Sequence, residues 1–598
     1  MVTALFSVAG TANWLILALS LLFFGMPSSR AQDAPAAAPS ARPSAAQPSP
    51  STPPSPLPTP PPAAVPQPTS PPALGIQALL KESALPKLRW GQFSDYKTAL
   101  EGLYQASGYA PLWFRNGKLA PQAQKVIANL ATADDKGLVS ADYDAELLQK
   151  WLAELNAAPT PAPRELASFD LGLSLSLMRY TSNLYMGRIN PKRVNFSLDI
   201  EPKKIDLPAL LRKIAASDDP DALIAAQEPK LKLYEYLKNA LAHYRQLAKD
   251  APTVQVSLPV KFKPGGSHPD VPKIRKLLSV LGDLTEGDGN DASPTYDKPL
   301  AEAVKRFQSR HGLTPDGVIG KGTQAQLNVP VAERVKQIQL GLERLRWLPV
   351  HIEGRYLIAN IPSFQLFGFH NGSGAERPDL EMNVIVGEAI DGRNTPVFHS
   401  DMTYVNFRPY WNVPYAITLK EYVPILSRNP GYLGSHDMEI VSSFAPDAAV
   451  HAASRGNIQQ LASGALKLRQ RPGPKNALGL VKFTFPNTNN VYFHSTPAQG
   501  LFKRTRRDFS HGCVRVEFPV ALAEFVLKDL PEWTHEKIEE AMHADKSKIV
   551  TLKPAIPVYI FYSTVLADAD GRAMFYHDLY GHDAILSTEL AKGFPYQP

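Results

Sequence analysis

The pattern of apolar positions divides the chain into a helical part and a β-rich part. In the first part, apolar residues within 170–185 and at Leu233, Leu237 and Leu241 recur every three to four positions, as on one face of an α-helix. From residue 355 onward, short runs with strand alternation predominate, and one helix is predicted at 520–530. The predicted strands are 356–361, 382–386, 402–407, 481–485, 491–494 and 558–566. The pattern therefore predicts a multidomain α+β chain.

A small three-helix module is predicted between residues 267 and 328. Its apolar stripes begin at Val271, at Leu300 and, after an Asp316-Gly317 turn, at Gly320. Residues 331–349 then return to an amphipathic helix, which indicates that the module is inserted into the helical part. Because helical stripes form cores by default, a packing module that binds nothing remains an alternative.

The N-terminal region predicts export. Residues 1–31 contain a long apolar run followed by Ser29-Arg30-Ala31, with small residues at the positions that a signal peptidase reads, which is typical of a signal peptide. No Lys or Arg precedes Arg30, and the apolar stretch 4–26 approaches the length of a membrane span, so an uncleaved inner-membrane anchor is the alternative. Both interpretations place the remaining chain outside the cytoplasm. Residues 32–74 are rich in Pro, Ala and Ser and predict a disordered linker.

Composition narrows the possible partners. A chain of 598 residues predicts several domains, each able to bury its own core. The net charge of +7 and pI near 9.0 favour acidic partners, but no long Lys/Arg tract or nucleic-acid motif accompanies them. The sequence holds one cysteine, Cys513, which cannot form an intrachain disulfide in an oxidising compartment. Nucleic acid is therefore not an expected partner.

The residues around Cys513 favour a reactive cysteine over one that only packs in the core. It follows Ser510-His511-Gly512 rather than an apolar run, so an inert buried thiol fits poorly. A free thiol is only about 3 % ionised at pH 7, so a nucleophilic cysteine needs a base. His494 is the candidate base, because it ends a short strand and a polar loop returns the chain toward Cys513.

These residues resemble the active-site signature of the L,D-transpeptidases, whose YkuD-type domain remodels bacterial peptidoglycan through an acyl-cysteine. Most members have Asn two positions after the cysteine, whereas Arg515 here is similar to the larger, YcbB-like branch. Further blocks that resemble this branch are 361–366, 382–387, 395–396, 409–414 and 476–479.

The resemblance implies a division of the whole chain. We expect a helical scaffold domain at 75–266, a type 1 peptidoglycan-binding domain at 267–328 and a scaffold return helix at 329–353. The YkuD-type catalytic domain is expected at 354–583, with a capping insertion at about 410–475, and a C-terminal tail at 584–598. The expected location is the periplasm of a Gram-negative bacterium.

The expected site combines residue chemistry with the family pattern. Cys513 is the nucleophile, His494 the general acid and base, and Tyr492 an orienting or oxyanion-donating group. The backbone N–H groups of Gly512 and Cys513 form the predicted oxyanion hole. Ser510 and His511 of the motif could take part directly in the chemistry or could form structural hydrogen bonds. The predicted substrate contacts are Arg515, Trp411 and Asn412.

The implied reaction is acyl transfer between peptidoglycan stem peptides. It forms 3→3 cross-links between meso-diaminopimelate residues and releases D-Ala, with carbapenems as the expected inhibitors. The alternatives are an L,D-carboxypeptidase and a non-catalytic peptidoglycan-binding protein. A papain-like peptidase is disfavoured because its cysteine precedes its histidine in sequence. The basic run 503–507 could offer charge to an acidic substrate, or could be a solvated loop.

No cofactor or metal is predicted. His577, Asp578, His582 and Asp583 lack a convincing further ligand cluster and predict a turn. In the helical part, acidic residues at 142, 144 and 146 could be paired acids, but the pattern favours a solvated helix face.

Overall fold

The computed structural model describes residues 66–596, apart from residue 116 and residues 199–202, 286–291, 371, 375 and 391. The predicted signal peptide or anchor at 1–31 lies outside these residues, as does the linker up to residue 65. Among the described residues, no helix has the length and apolar character needed to cross a membrane.

The first part of the described chain is helical, as the sequence predicts. Its core includes Leu100, Trp113, Leu171 and Leu177, which are all fully buried. Its helices are Pro71–Glu82, Lys97–Gln105, Pro121–Ala131, Ala145–Ala157, Pro163–Met186, Leu207–Ala216, Pro220–Ala225 and Lys232–Asp250. The α+β fold class is confirmed by this helical part and the β-rich part that follows it.

The first helix begins inside the segment predicted as linker. Helix Pro71–Glu82 has Ser70 as its N-cap, whose side chain accepts from the backbone N–H of Ala73. Proline at the first helical position lacks only an N–H that would have no helical partner. Prolines at 71 and 72 therefore start a helix here, so packed structure begins before the boundary expected at residue 74.

Glu146 is exposed on its helix, as expected, but Asp142 and Asp144 are not on a solvated helix face, which corrects that interpretation for these two residues. Their exposed fractions are 6 % and 4 %. The Tyr596 hydroxyl donates to Asp142 at 2.8 Å, and the backbone N–H of Arg89 donates to Asp144 at 2.9 Å. Helix His582–Ala591 crosses the boundary expected at residue 583. The C-terminal residues thus pack onto the helical part instead of trailing from the β-rich part.

The predicted module folds as short helices Val271–Val280, Lys298–Arg310 and Lys321–Leu327. Its apolar stripes meet in a separate core that includes Ile274, Leu278, Leu300, Val304 and Phe307. The chain then returns through helix Val331–Leu345, which packs against the scaffold helix Lys232–Asp250.

The β-rich part is built on one large sheet whose path closes on itself. Strand Val397–Phe407 pairs with both Lys548–Phe561 and Val481–Thr484, which joins the two ends of the path. The strands follow in the spatial order Val481–Thr484, Phe493–His494, Val514–Val516, Leu380–Gly387, Gln365–Phe369, Tyr356–Asn360, Lys548–Phe561 and Val397–Phe407. Helices Pro519–Leu527 and His535–His543 cover the apolar side.

Residues 410–475, the capping insertion, have a sheet and core of their own. The core includes Val413, Leu426, Ile440, Leu461 and Leu468. The strands are Trp411–Asn412, Met438–Val441, Val450–His451 and Lys467–Gln470, and helix Arg455–Ala462 packs beside them. This independent core lets the insertion hold a defined surface over the neighbouring sheet.

Candidate active site

Strand alternation places the predicted catalytic residues on one face of the sheet. Phe493 pairs with Val514 in parallel register, and Phe483 lies opposite Phe493 on the other side. These three side chains are fully buried in the core. Because neighbouring residues of a strand point to opposite faces, the residues between them must point the other way. That other face carries Lys482, Tyr492, His494, Cys513 and Arg515 and lies against the capping insertion.

The capping insertion and this face enclose a cleft of about 1170 Å³. Trp411 and Asn412 line the cleft, as does Arg515, so all three predicted substrate contacts reach it. Most charged side chains on its walls are basic, and the acidic ones include Glu388 and Glu421. The basic residues of the cleft are Arg393, Lys420, Lys467, Lys482 and Arg515. The cleft is thus suited to a ligand that carries carboxylates.

Cys513 is half-buried at the floor of this cleft. Its thiol donates weakly to the backbone carbonyl of Asn490, with a sulfur–oxygen distance of 3.6 Å. Burial raises the pKa of the thiol, while hydrogen bonds from Tyr492 and the charges of Lys482 and Arg515 act in the opposite direction. The raised pKa means that the resting cysteine is a thiol at neutral pH.

His494 is buried on the same face of the sheet and also lines the cleft, with 4 % of its surface exposed. Its Nδ1 lies 2.6 Å from the carbonyl oxygen of Ser495, so Nδ1 carries the proton and Nε2 is the basic nitrogen of the neutral ring. Burial lowers the pKa of His494 to about 3, and the nearby charge of Arg515 adds to this effect. The resting pair is therefore a neutral thiol and a neutral imidazole, and the proton must move during nucleophilic attack.

Tyr492 hydrogen-bonds to Cys513, and burial is the main reason why its pKa is raised well above the ordinary value. The hydroxyl thus stays protonated and can donate to the sulfur or to an oxyanion. Its ring centroid lies 5.7 Å from that of His494, and the ammonium of Lys482 lies 3.8 Å from the centre of the tyrosine ring.

Lys482 is a member of the site that the sequence analysis missed. Its strand was predicted, but only the register, in which Lys482 lies opposite His494, shows that its side chain shares the face of the cysteine. Burial lowers the pKa of Lys482, and the neighbouring cysteine acts to raise it. Lys482 thereby supplies a positive charge that favours the thiolate form of Cys513.

The turn before the cysteine corrects part of the predicted oxyanion hole. The N–H of Gly512 donates to Ser510 Oγ at 3.2 Å, and Ser510 Oγ donates to the carbonyl of Cys513 at 2.5 Å. Gly512 has φ of +117°, a conformation that favours glycine. Ser510 therefore holds the turn, and the N–H of Gly512 is already engaged. Among the described residues, the N–H of Cys513 has no acceptor, so it is the donor left for an oxyanion.

His511 and the basic run have different positions. His511 lines the cleft and its Nε2 lies 2.7 Å from Glu421 of the capping insertion. The run 503–507 does not line the cleft, so it does not offer charge to a ligand there. Arg506 pairs with Asp508 at 2.6 Å, and buried Arg507 donates to the carbonyls of Phe364 and Val384.

The histidine and aspartate pairs near the C-terminus have structural partners. Asp578 accepts from the Tyr562 hydroxyl, and Asp583 accepts from the Thr564 hydroxyl, both at 2.6 Å. Among the described residues, no group of three or more His, Cys, Asp or Glu side chains is arranged to hold a metal ion.

Iodoacetamide alkylation of Cys513 is expected to be slow at pH 7 and to rise through a midpoint above the ordinary thiol pKa of about 8.5. The reason is that burial raises the pKa of Cys513. Lys482→Met should move the midpoint about one pH unit higher, because it removes a cation that favours the thiolate. Lys548→Met, at an ammonium 4.6 Å from the Trp533 ring and not in the cleft, is the matched control. A midpoint below about 7 would indicate a preformed thiolate–imidazolium pair instead.

Comparison with known proteins agrees with this geometry. Residues 354–550 match the family model described as "L,D-transpeptidase catalytic domain", and residues 98–241 match "Scaffold domain". Residues 267–327 match "Putative peptidoglycan binding domain". A Haemophilus influenzae protein named "Putative L,D-transpeptidase" is 30% identical over 257 residues, which are 42% of this chain and 48% of that protein. The match thus spans about half the length of this relative. The chain thus resembles, in this order, a scaffold domain, a peptidoglycan-binding domain and an L,D-transpeptidase catalytic domain, which is the domain order expected from the sequence.

Proposed function

We propose that this protein is a peptidoglycan L,D-transpeptidase that forms 3→3 cross-links through an acyl-cysteine. The observation that carries the proposal is the shared face of Cys513, His494 and Tyr492 beneath a capped, mainly basic cleft. The substrate is a tetrapeptide stem, whose carboxylates suit the basic walls. The match to the catalytic domain of this family supports the same reaction class.

In the first step, the sulfur of Cys513 attacks the carbonyl carbon between the L-centre of meso-diaminopimelate and the terminal D-Ala. The thiol proton passes to Nε2 of His494 as the carbon–sulfur bond forms. His494 then gives this proton to the departing nitrogen as the carbon–nitrogen bond breaks. D-Ala leaves and a thioester remains. The low pKa of His494 makes proton return to the leaving amine strongly favourable.

The negative oxygen that forms during attack needs donors in a fixed position. The free backbone N–H of Cys513 and the hydroxyl of Tyr492 are the available pair, since Gly512 donates to Ser510. An oxyanion donor of this kind typically contributes about 3 kcal/mol to the stability of the transition state. Arg515 and Lys482 add positive charge on the same face.

In the second step, the amine of another stem peptide attacks the thioester and forms the cross-link. Water in place of the amine would give net L,D-carboxypeptidase activity through the same intermediate. The peptidoglycan-binding domain at 267–327 supports delivery of the enzyme to the cell wall. A periplasmic location follows from this substrate and from the predicted export signal at 1–31.

The test is incubation of the purified exported part with disaccharide-tetrapeptide, followed by mass analysis of the products. The proposal predicts a cross-linked dimer and one released D-Ala per bond formed. Disaccharide-tripeptide alone would identify a carboxypeptidase. Binding to intact peptidoglycan with neither product would leave only the non-catalytic alternative.

A further inference from the structure

The pair formed by His511 and Glu421 has no role in the first step described above. The imidazole belongs to the motif that carries Cys513, whereas the carboxylate belongs to the capping insertion, 90 residues earlier in the chain. Their nitrogen–oxygen distance is 2.7 Å, and each side chain is 36 % exposed. Both line the cleft that contains the nucleophile. A histidine held by a carboxylate at a cleft wall is the usual arrangement of a general base.

The hydrogen bond fixes which nitrogen can act. Nε2–H donates to Glu421, so the lone pair of the neutral ring is on Nδ1. Among the described residues, Nδ1 of His511 has no hydrogen-bond partner. His511 can therefore receive a proton from a group bound in the cleft.

The second step creates a need for such a base. An aliphatic amine has a pKa near 10 and arrives as an ammonium at neutral pH, without the lone pair that attack requires. His494 is 4 % exposed, so its ring offers little surface to an amine that enters the cleft after acylation. His511 is accessible from the cleft and lies two positions from Cys513.

We propose that His511, oriented by Glu421, is the general base that deprotonates the acceptor amine during thioester resolution. The ammonium proton moves to Nδ1 of His511 and from there to solvent, the neutral nitrogen attacks the thioester carbon, and the second nitrogen proton passes to Nδ1 as the carbon–sulfur bond breaks. The sulfur leaves as a thiolate and recovers a proton from the imidazolium. This assignment rests on the proposed function and gives its second step a base, His511, that the first step does not use.

The same pair links the base to the capping insertion. Glu421 lies in the π-helical turn Thr418–Tyr422, a form of helix found often at functional sites. Arg393 approaches Glu421 at 3.3 Å and Glu388 at 2.7 Å, which fixes the carboxylate from the side of the catalytic domain. The base is thus complete only while the capping insertion lies over the cleft. Amine activation then occurs where the acceptor is enclosed.

The test separates the two steps in the full exported protein. D-Ala release under single-turnover conditions measures acylation, and dimer formation measures transfer. His511→Gln should lower transfer about 100-fold more than acylation, the range typical for loss of a general base. Glu421→Gln keeps an acceptor for Nε2–H but removes the charge, so a smaller fall of about 10-fold is expected. Glu524→Gln and His535→Gln are the matched controls, because their 2.7 Å pair is exposed and does not line the cleft.

Hydroxylamine distinguishes a missing base from a distorted site. It is largely unprotonated at neutral pH, so it should resolve the thioester of His511→Gln at close to the wild-type rate and yield a hydroxamate. Equal losses of acylation and transfer, or no rescue by hydroxylamine, would show that the pair only positions the cleft and would overturn the assignment. Normal transfer in both variants would also overturn it. Absence of acylation in the wild type would instead refute the proposed function, and this assignment with it.

Discussion

Cys513→Ala is expected to abolish both D-Ala release and dimer formation, with a fall of at least about 1000-fold. No other thiol exists in the sequence to replace the nucleophile, and residual catalysis by the rest of the site cannot form the thioester. Cys513 is half-buried and lies outside the apolar core, so the change in the free energy of unfolding should stay within about 1 kcal/mol. Rates with disaccharide-tetrapeptide and a urea unfolding curve would measure the two effects.

Acylation by a covalent inhibitor would test the role of Cys513 as the nucleophile directly. A carbapenem is an acyl donor, and the wild type should gain the mass of one intact molecule on the peptide that contains Cys513. The adduct should be absent from Cys513→Ala and from wild type first treated with iodoacetamide, which serves as the chemical control. An adduct that survives loss of Cys513, or preferential acylation of a serine by penicillin, would point to a serine enzyme.

The positions of the motif residues could be predicted because the motif is local in sequence. Ser510, Gly512 and Cys513 lie within four consecutive residues, and the strand alternation of Tyr492 and His494 already placed these two on one face. The apolar stripes of the three-helix module were equally clear, since each stripe belongs to one short helix. Such features need no knowledge of which strands or domains are neighbours.

The parts that could not be predicted depend on register and on long-range contacts. Lys482 enters the site through a pairing with His494, and Glu421 reaches His511 from another subdomain. Neither position carries a local signal. From the sequence alone, the basic run 503–507 could have supplied charge to a ligand. In the structure, Arg507 donates to backbone carbonyls and Arg506 pairs with Asp508.

The sequence also does not reveal which backbone N–H group is free to donate to an oxyanion, because this depends on one hydrogen bond. From the sequence, the N–H groups of Gly512 and Cys513 were equivalent donors. The turn makes them unequal because Ser510 Oγ accepts from Gly512 and donates to the carbonyl of Cys513. A side chain that the sequence presented as a candidate for direct chemistry thus acts on the backbone around the nucleophile.

His494→Ala is expected to lower acylation by about 100- to 10,000-fold, because the thiol loses the acceptor for its proton. His494→Gln should show a similar loss with less disturbance of packing, since it fills more of the buried site. His543→Ala, at an exposed histidine of helix His535–His543, is the control and should retain full activity. Acylation at the wild-type rate in either His494 variant would remove His494 from the mechanism.

His494 should contribute less to the stability of the folded protein at acid pH than at neutral pH. Burial lowers its pKa in the folded protein to about 3, whereas the unfolded value is near 6.5. The unfolded state therefore binds more protons between these values, and the stability supplied by the neutral imidazole is fully present above about pH 6.5 and is lost as pH falls toward 3. His494→Gln removes this linkage, so its free energy of unfolding should fall less between pH 7 and pH 4 than that of the wild type. Equal slopes would show that His494 is not buried as a neutral ring, and the proton-transfer role derived from that state would have to be abandoned.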